Sequence, residues 1–168
     1  MLQWYALYTR ARHEKAVAEE LLRRGIEAFV PLREVLSQWK DRKKLVQLPL
    51  FPGYIFVHFD QTMRREVLQP VGAISLVGVH GVLTPIPDAQ IEAIRTICRT
   101  KRPLDLSPYL TEGERIQVVR GPLAGLQGFL SEQEGRQCLV VSIDLLQQSL
   151  AVEVDADSVV PIDGHGSQ

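Results

Sequence analysis

Phe51, Pro52 and Tyr54 crowd around Gly53 in the run Leu48-Pro49-Leu50-Phe51-Pro52-Gly53-Tyr54-Ile55-Phe56-Val57. The chemistry open to such residues is recognition, in which rigid aromatic surfaces bury against a partner. The run reads as a turn feeding a strand. Period-two alternation sets Tyr54 and Phe56 on one face and Ile55, Val57 and Phe59 on the other. Both faces are apolar, so one packs on the domain's own helices and the other is either more core or an aromatic patch awaiting a partner. No comparable set of residues points to covalent chemistry. The sequence has no nucleotide-binding glycine motif, no metal-spaced cluster and no nucleophile–base pair, and His13, His58, His80 and His165 lie in unrelated segments. The expectation is a non-enzymatic protein with no cofactor and no metal.

The net charge of -1 over 168 residues conceals an asymmetry. Residues 1–102 carry 16 Lys+Arg against 10 Asp+Glu, net +6, whereas residues 103–168 carry 3 against 10, net -7. A basic first half suits a polyanion or an acidic protein surface, and an acidic second half is better matched to protein than to nucleic acid. Cys98 and Cys138 form neither a disulfide framework nor a zinc pattern. No apolar run approaches the roughly 18 residues of a membrane span and the first residues have no signal-peptide character, so the expected location is cytoplasmic, without membrane attachment.

The elements that must hold the aromatic run follow from periodicity. Gln3-Trp4-Tyr5-Ala6-Leu7-Tyr8-Thr9 reads as a strand. Residues 13–24 then switch to helical spacing, with Ala16, Val17, Leu21 and Leu22 on the apolar stripe and Gly25 as the stop. Residues 26–35 return to strand character, and the charged stretch 38–44, with Trp39, predicts a hairpin tip. A short helix over 62–68, a strand over 73–77 and a helix opening at Pro87-Asp88 with Ile91, Ile94, Ile97 and Cys98 on one stripe complete this half. The order predicts an α+β domain over 1–102, an antiparallel sheet with flanking helices. Residues 103–111 read as a linker. Short β-branched runs at 115–119, 127–132, 138–145, 148–154 and 158–162, punctuated by glycines, predict a small five-stranded β-barrel over 112–163, and 164–168 a disordered tail.

Taken together the two halves resemble the NusG family of transcription elongation and antitermination factors. Trp4-Tyr5-Ala6-Leu7-Tyr8, the helix after it and Phe51-Pro52-Gly53-Tyr54 are similar to that family's amino-terminal (NGN) domain. The stretch 112–128, with Gly113, Val118, Val119, Gly121, Gly125 and Gly128, resembles its SH3-like KOW barrel. The run 48–60, the hairpin before it and the segment 142–149 resemble specialised paralogues such as RfaH and UpxY more than housekeeping NusG. RfaH can fold its second domain as a helical hairpin. Here Gly121, Pro122, Gly125 and Gly128 break helices, and Leu48 and Cys138 stand where RfaH has a charged interdomain pair, so five strands are expected.

The resemblance implies a monomeric regulator that binds RNA polymerase and suppresses pausing or termination by processive antitermination. Tyr8, Phe51, Tyr54 and Phe56 match the apolar depression that docks on the clamp helices of the largest polymerase subunit. Arg10, Arg12, His13 and Lys15 match positions facing the displaced non-template DNA, and Arg64 and Arg65 match the loop reaching the polymerase gate, without the His-Thr-Thr sequence RfaH carries there. Lys40, Arg42, Lys43 and Lys44 form a basic cluster that could reach upstream DNA or simply keep the hairpin soluble. In the barrel, Ile143 and Leu145 match the strand through which NusG meets Rho or the ribosomal protein NusE, or else belong to barrel core. The rival expectation is a ribosome-associated KOW protein that binds RNA.

Overall fold

A computed structural model of the chain describes residues 1–100, 102, 104–110 and 112–162, apart from the side chain of Trp39. The tail 164–168 lies outside the described residues. The chain divides into two units, Met1–Ile91 and Glu92–Gln168.

The first unit is built on β1 (Gln3–Thr9), α1 (Glu14–Arg23), β2 (Glu27–Phe29), a long hairpin of β3 (Leu32–Trp39) and β4 (Arg42–Pro49), and β5 (Tyr54–Phe59). A 3-10 turn (Gln61–Met63) and the one-turn α2 (Arg64–Val67) lead to β6 (Ala73–Leu76) and to a second, short hairpin of β7 (Gly78–Val79) and β8 (Val82–Leu83). The central sheet is antiparallel with order β2-β5-β1-β6. β1 and β5 alternate in register, so Tyr5, Leu7, Ile55, Val57 and Phe59 share one face and form a buried cluster with Val17, Ala18 and Leu21 of α1. The helix is therefore phased slightly differently from the expected stripe, with Ala16 and Leu22 exposed on its flanks. Gly25, at φ +81°, ends it by donating its N–H to the Leu22 carbonyl.

The last helix, α3 (Asp88–Arg99), spans the division between units and buries Ile91, Ile94 and Ile97 at three-residue spacing. The second unit follows with β9 (Leu104–Ser107), β10 (Arg115–Val118), β11 (Gln127–Gln133), β12 (Arg136–Ile143), β13 (Gln148–Glu153) and β14 (Val159–Pro161), in one antiparallel sheet of order β14-β10-β11-β12-β13-β9. All five strands expected of the barrel are present. The segment read as a linker is different: Leu104–Ser107 pair with β13 as a sixth strand. Two prolines and the lack of periodicity concealed it, because a four-residue strand needs only an available edge.

Candidate functional site

The face of the sheet opposite α1 carries Trp4, Ala6 and Tyr8 of β1, each directly across from His58, Phe56 and Tyr54 of β5. Each end of this row is an aromatic pair. Trp4 and His58 stack with ring centroids 4.8 Å apart at one end, and Tyr8 and Tyr54 lie 5.3 Å apart at 47° at the other. Tyr8 is 41% exposed and Tyr54 half-buried. The middle of the row is closed. Phe56 has no exposed surface, sits over Ala6, and contacts Phe29 at 6.2 Å and Phe51, edge-on, at 5.8 Å. Phe51 is buried as well. The sequence left this face as core or docking patch; Phe51 and Phe56 take the core alternative and pack against each other, because the turn at Pro52-Gly53 folds Phe51 back onto the strand it precedes. The tyrosines are the accessible part.

Gly53 positions Tyr8 and Tyr54. Its φ of +88° lies in the left-handed region, and a Cβ there would come within 3.3 Å of the Tyr8 ring. Its N–H donates to Glu14 Oε2 at 2.7 Å, and its carbonyl accepts from the Thr9 N–H at 2.8 Å. Glu14, only 4% exposed, thus ties the first residue of α1 to the turn before β5. Sequence reasoning missed this residue, since an acid at a helix start is normally explained by the helix itself.

The basic turn between β1 and α1 lies next to Tyr8 in the chain. Arg10 and Arg12 are exposed, and their side chains make no ion pair or hydrogen bond among the described residues. Arg12 holds a φ of 69°, and the Arg10 N–H donates to the Gly72 carbonyl at 2.8 Å, so the turn is fixed although its side chains are free. The other two candidates are engaged. His13 is half-buried, with Nδ1 3.1 Å from the Ala11 carbonyl and its ring against Gly72. Lys15 Nζ donates to the Gln47 carbonyl at 2.8 Å and braces β4.

Arg64 and Arg65 are exposed on α2, beyond the far end of β5 from Tyr54. Lys40, Arg42, Lys43 and Lys44 are exposed around the tip of the β3–β4 hairpin, and Leu36 and Leu45, opposite each other in its arms, are exposed too. In the second unit Ile143 is fully buried, in alternation with Leu139 and Val141, so it belongs to core rather than to an exposed contact. Leu145 is half-buried on the 3-10 turn Asp144–Leu146. Among the described residues no helix is long and apolar enough to cross a membrane, and no group of three or more His, Cys, Asp or Glu could hold a metal ion.

An antiparallel α+β unit that carries a tyrosine pair near exposed arginines, followed in the chain by a six-stranded β-unit, defines a two-domain protein of the α+β and all-β kind. Residues 2–95, more than half of the chain, match the family described as "Transcription termination factor nusG". The protein belongs to the NusG family of transcription termination/antitermination factors, which are non-enzymatic. It is similar to the transcription termination/antitermination protein NusG of Borreliella burgdorferi, 23% identical over 180 residues with 95% of this chain and 98% of the relative covered. The Thermus thermophilus protein of the same name is 26% identical over 181 residues, covering 95% and 98%. A solved structure, "Domain interaction in Thermotoga maritima NusG", covers 97% of this chain and 98% of its own at 21% identity with a TM-score of 0.56, a likeness of fold.

Proposed function

We propose that this protein binds elongating RNA polymerase on the clamp helices of its largest subunit, steadies the closed clamp over nucleic acid, and suppresses pausing and termination as a processive antitermination factor. The observation that carries the reading is the pair of exposed Tyr8 and half-buried Tyr54, with Arg10 and Arg12 following Tyr8 in the chain. A few rigid aromatics dominate a small interface, each contributing about 2 kcal/mol or more when centrally buried. Phe51 and Phe56 act as the floor behind the tyrosines. Arg10 and Arg12 take phosphates of the non-template strand, with His13 and Lys15 shaping the turn. Arg64 and Arg65 make an ionic contact across the cleft. In the acidic KOW unit, Leu145 and its turn recruit a further protein such as NusE or Rho, with Ile143 as core beneath. The run 48–60 and the compact hairpin before it support a specialised paralogue resembling RfaH or UpxY. The protein acts in the cytoplasm as a monomer.

Catalysis remains the polymerase's own, and the factor shifts populations among its conformations. A single-round transcription assay with purified polymerase tests this. The full chain should speed escape from pauses, and a Tyr8→Ala/Tyr54→Ala variant with unchanged thermal unfolding should lose the effect. A folded wild-type protein without any effect on polymerase would overturn the reading in favour of a ribosome-associated RNA-binding role.

A further inference from the structure

His13 stands at the amino-terminal cap of α1, directly after the turn that carries Arg10 and Arg12. Its ring is held on two sides. Nδ1 lies 3.1 Å from the Ala11 carbonyl, and a carbonyl oxygen can only accept, so Nδ1 carries a hydrogen and donates it. The ring also packs on Gly72, where a Cβ would come within 2.7 Å of His13 Cβ and 2.8 Å of Cδ2, and the Gly72 carbonyl in turn accepts from the Arg10 N–H. The neutral ring therefore keeps its proton on Nδ1 and leaves Nε2 as a bare acceptor. Nε2 has no hydrogen-bond partner among the described residues.

The free charges next to this ring in the chain are both positive. Arg10 and Arg12 are exposed and unpaired. The neighbouring charges of α1 are engaged elsewhere: Glu14 accepts from the Gly53 N–H, Glu20 holds Arg23 and Arg24, and Lys15 donates to the Gln47 carbonyl. The segment leading to Gly72 brings Gln69, Pro70 and Val71, none of which titrates, and Gln69 accepts from Arg24. A neutral ring turns a lone pair toward an incoming phosphate oxygen, which repels it, whereas a protonated ring offers an N–H and a full charge. The Nδ1–H bond to Ala11 and the packing on Gly72 serve both states, so protonation changes the charge of the turn without requiring the ring to move.

We infer that His13 is a proton-dependent phosphate ligand. With Nε2 protonated it joins Arg10 and Arg12 in holding the backbone of a single-stranded nucleic acid, and with Nε2 bare it drops out, so binding at this turn takes up a proton. The inference rests on the reading of the turn as a surface for non-template DNA and adds its control by pH. Phosphate binds the protonated form more tightly, so affinity is highest at low pH and falls as pH rises through the range in which imidazole loses its proton. By the same coupling, bound phosphate holds the proton on the ring. One further phosphate contact adds about 0.7 to the salt slope, which at about 0.1 M salt amounts to about fivefold in affinity.

The experiment titrates the full chain into rhodamine-labelled oligothymidylate, followed by fluorescence anisotropy at about pH 5.5 and about pH 8. The wild type should bind about fivefold more tightly at the lower pH, with a salt slope steeper by about 0.7. His13→Asn keeps a donor where Nδ1 sits and has no atom in place of Nε2, so it should bind at both pH values as the wild type does at the higher one. In the wild type, NMR of the His13 ring should show the Nδ1–H tautomer when neutral and a titration that moves to higher pH when the oligonucleotide is added. A His13→Asn protein with unchanged thermal unfolding that keeps the full pH dependence overturns the inference, and so does a ring titration that the oligonucleotide leaves in place. An Arg10→Ala/Arg12→Ala variant separates the two readings. If it weakens binding while the pH dependence is indifferent to His13, this inference alone falls; if it binds as the wild type does, the DNA reading of the turn falls with it.

Discussion

Tyr8 and Phe56 share one face of the sheet and answer to different forces. Phe56 is fully buried among Phe29 and Phe51, so Phe56→Ala should lower the unfolding free energy by about 3–5 kcal/mol, read by denaturant titration. Tyr8→Ala, at an exposed position, should cost about 1 kcal/mol or less. A binding defect in the first variant would therefore report on folding, whereas one in the second reports on docking. Electrostatics at the far end of β5 give a second expectation. The Met1 ammonium hydrogen-bonds the Asp60 carboxylate, and that bond, followed by one from the Thr62 N–H, holds the Asp60 pKa down to about 2. The stabilisation is present above the ordinary carboxylate value of 3.8 and is lost as pH falls through about 2. Acetylation of the amino terminus should move the Asp60 titration, followed by NMR, back up toward 3.8; a titration that stays put would show that the ammonium is not its cause. Burial raises the Cys138 pKa, so this thiol should be slow to alkylate in the intact chain.

The turn between β4 and β5 is where local geometry decides what the sheet presents. Gly53→Ala places a methyl group in the left-handed region at about 1–2 kcal/mol and drives it toward the Tyr8 ring. The expected outcome is a modest loss of stability and a larger loss of polymerase binding than Tyr8→Ala alone produces; unchanged binding would mean that the ring's placement is irrelevant. Much of this was legible in advance. The alternation around Tyr54 and Phe56, the stop at Gly25, the isoleucine stripe of α3 and five of the six strands of the second unit could be read, because each is a local pattern of period or punctuation. Other features depend on distant partners and leave no mark in spacing. Phe51 and Phe56 look alike in sequence as surface or core until Phe29 is brought beside them. Ile143 reads the same on either face of β12, and Glu14 gains its role only from Gly53, far along the chain. The strand Leu104–Ser107 was hidden by Pro103 and Pro108, which flank it in the sequence.

At the scale of the molecule, charge is divided between a basic first half and an acidic second half. Contacts with phosphate release counterions, so the salt dependence of binding counts them. Arg10→Ala and Arg12→Ala should each reduce the slope of log K against log salt by about 0.7 for single-stranded DNA, while variants at Lys15 should act mainly through the brace to β4. Equal slopes in wild type and arginine variants would remove this turn from the DNA surface.

The bond from Glu14 to Gly53 also bears on when the tyrosine face comes into being. It joins residues thirty-nine positions apart, and contacts between distant residues carry a loop-closure cost that local ones do not. A chain that has made β1 and α1 but not yet β5 holds Tyr8 without the turn that sets its ring. The recognition surface is therefore a late product of folding, so a half-made first unit has nothing to offer a partner.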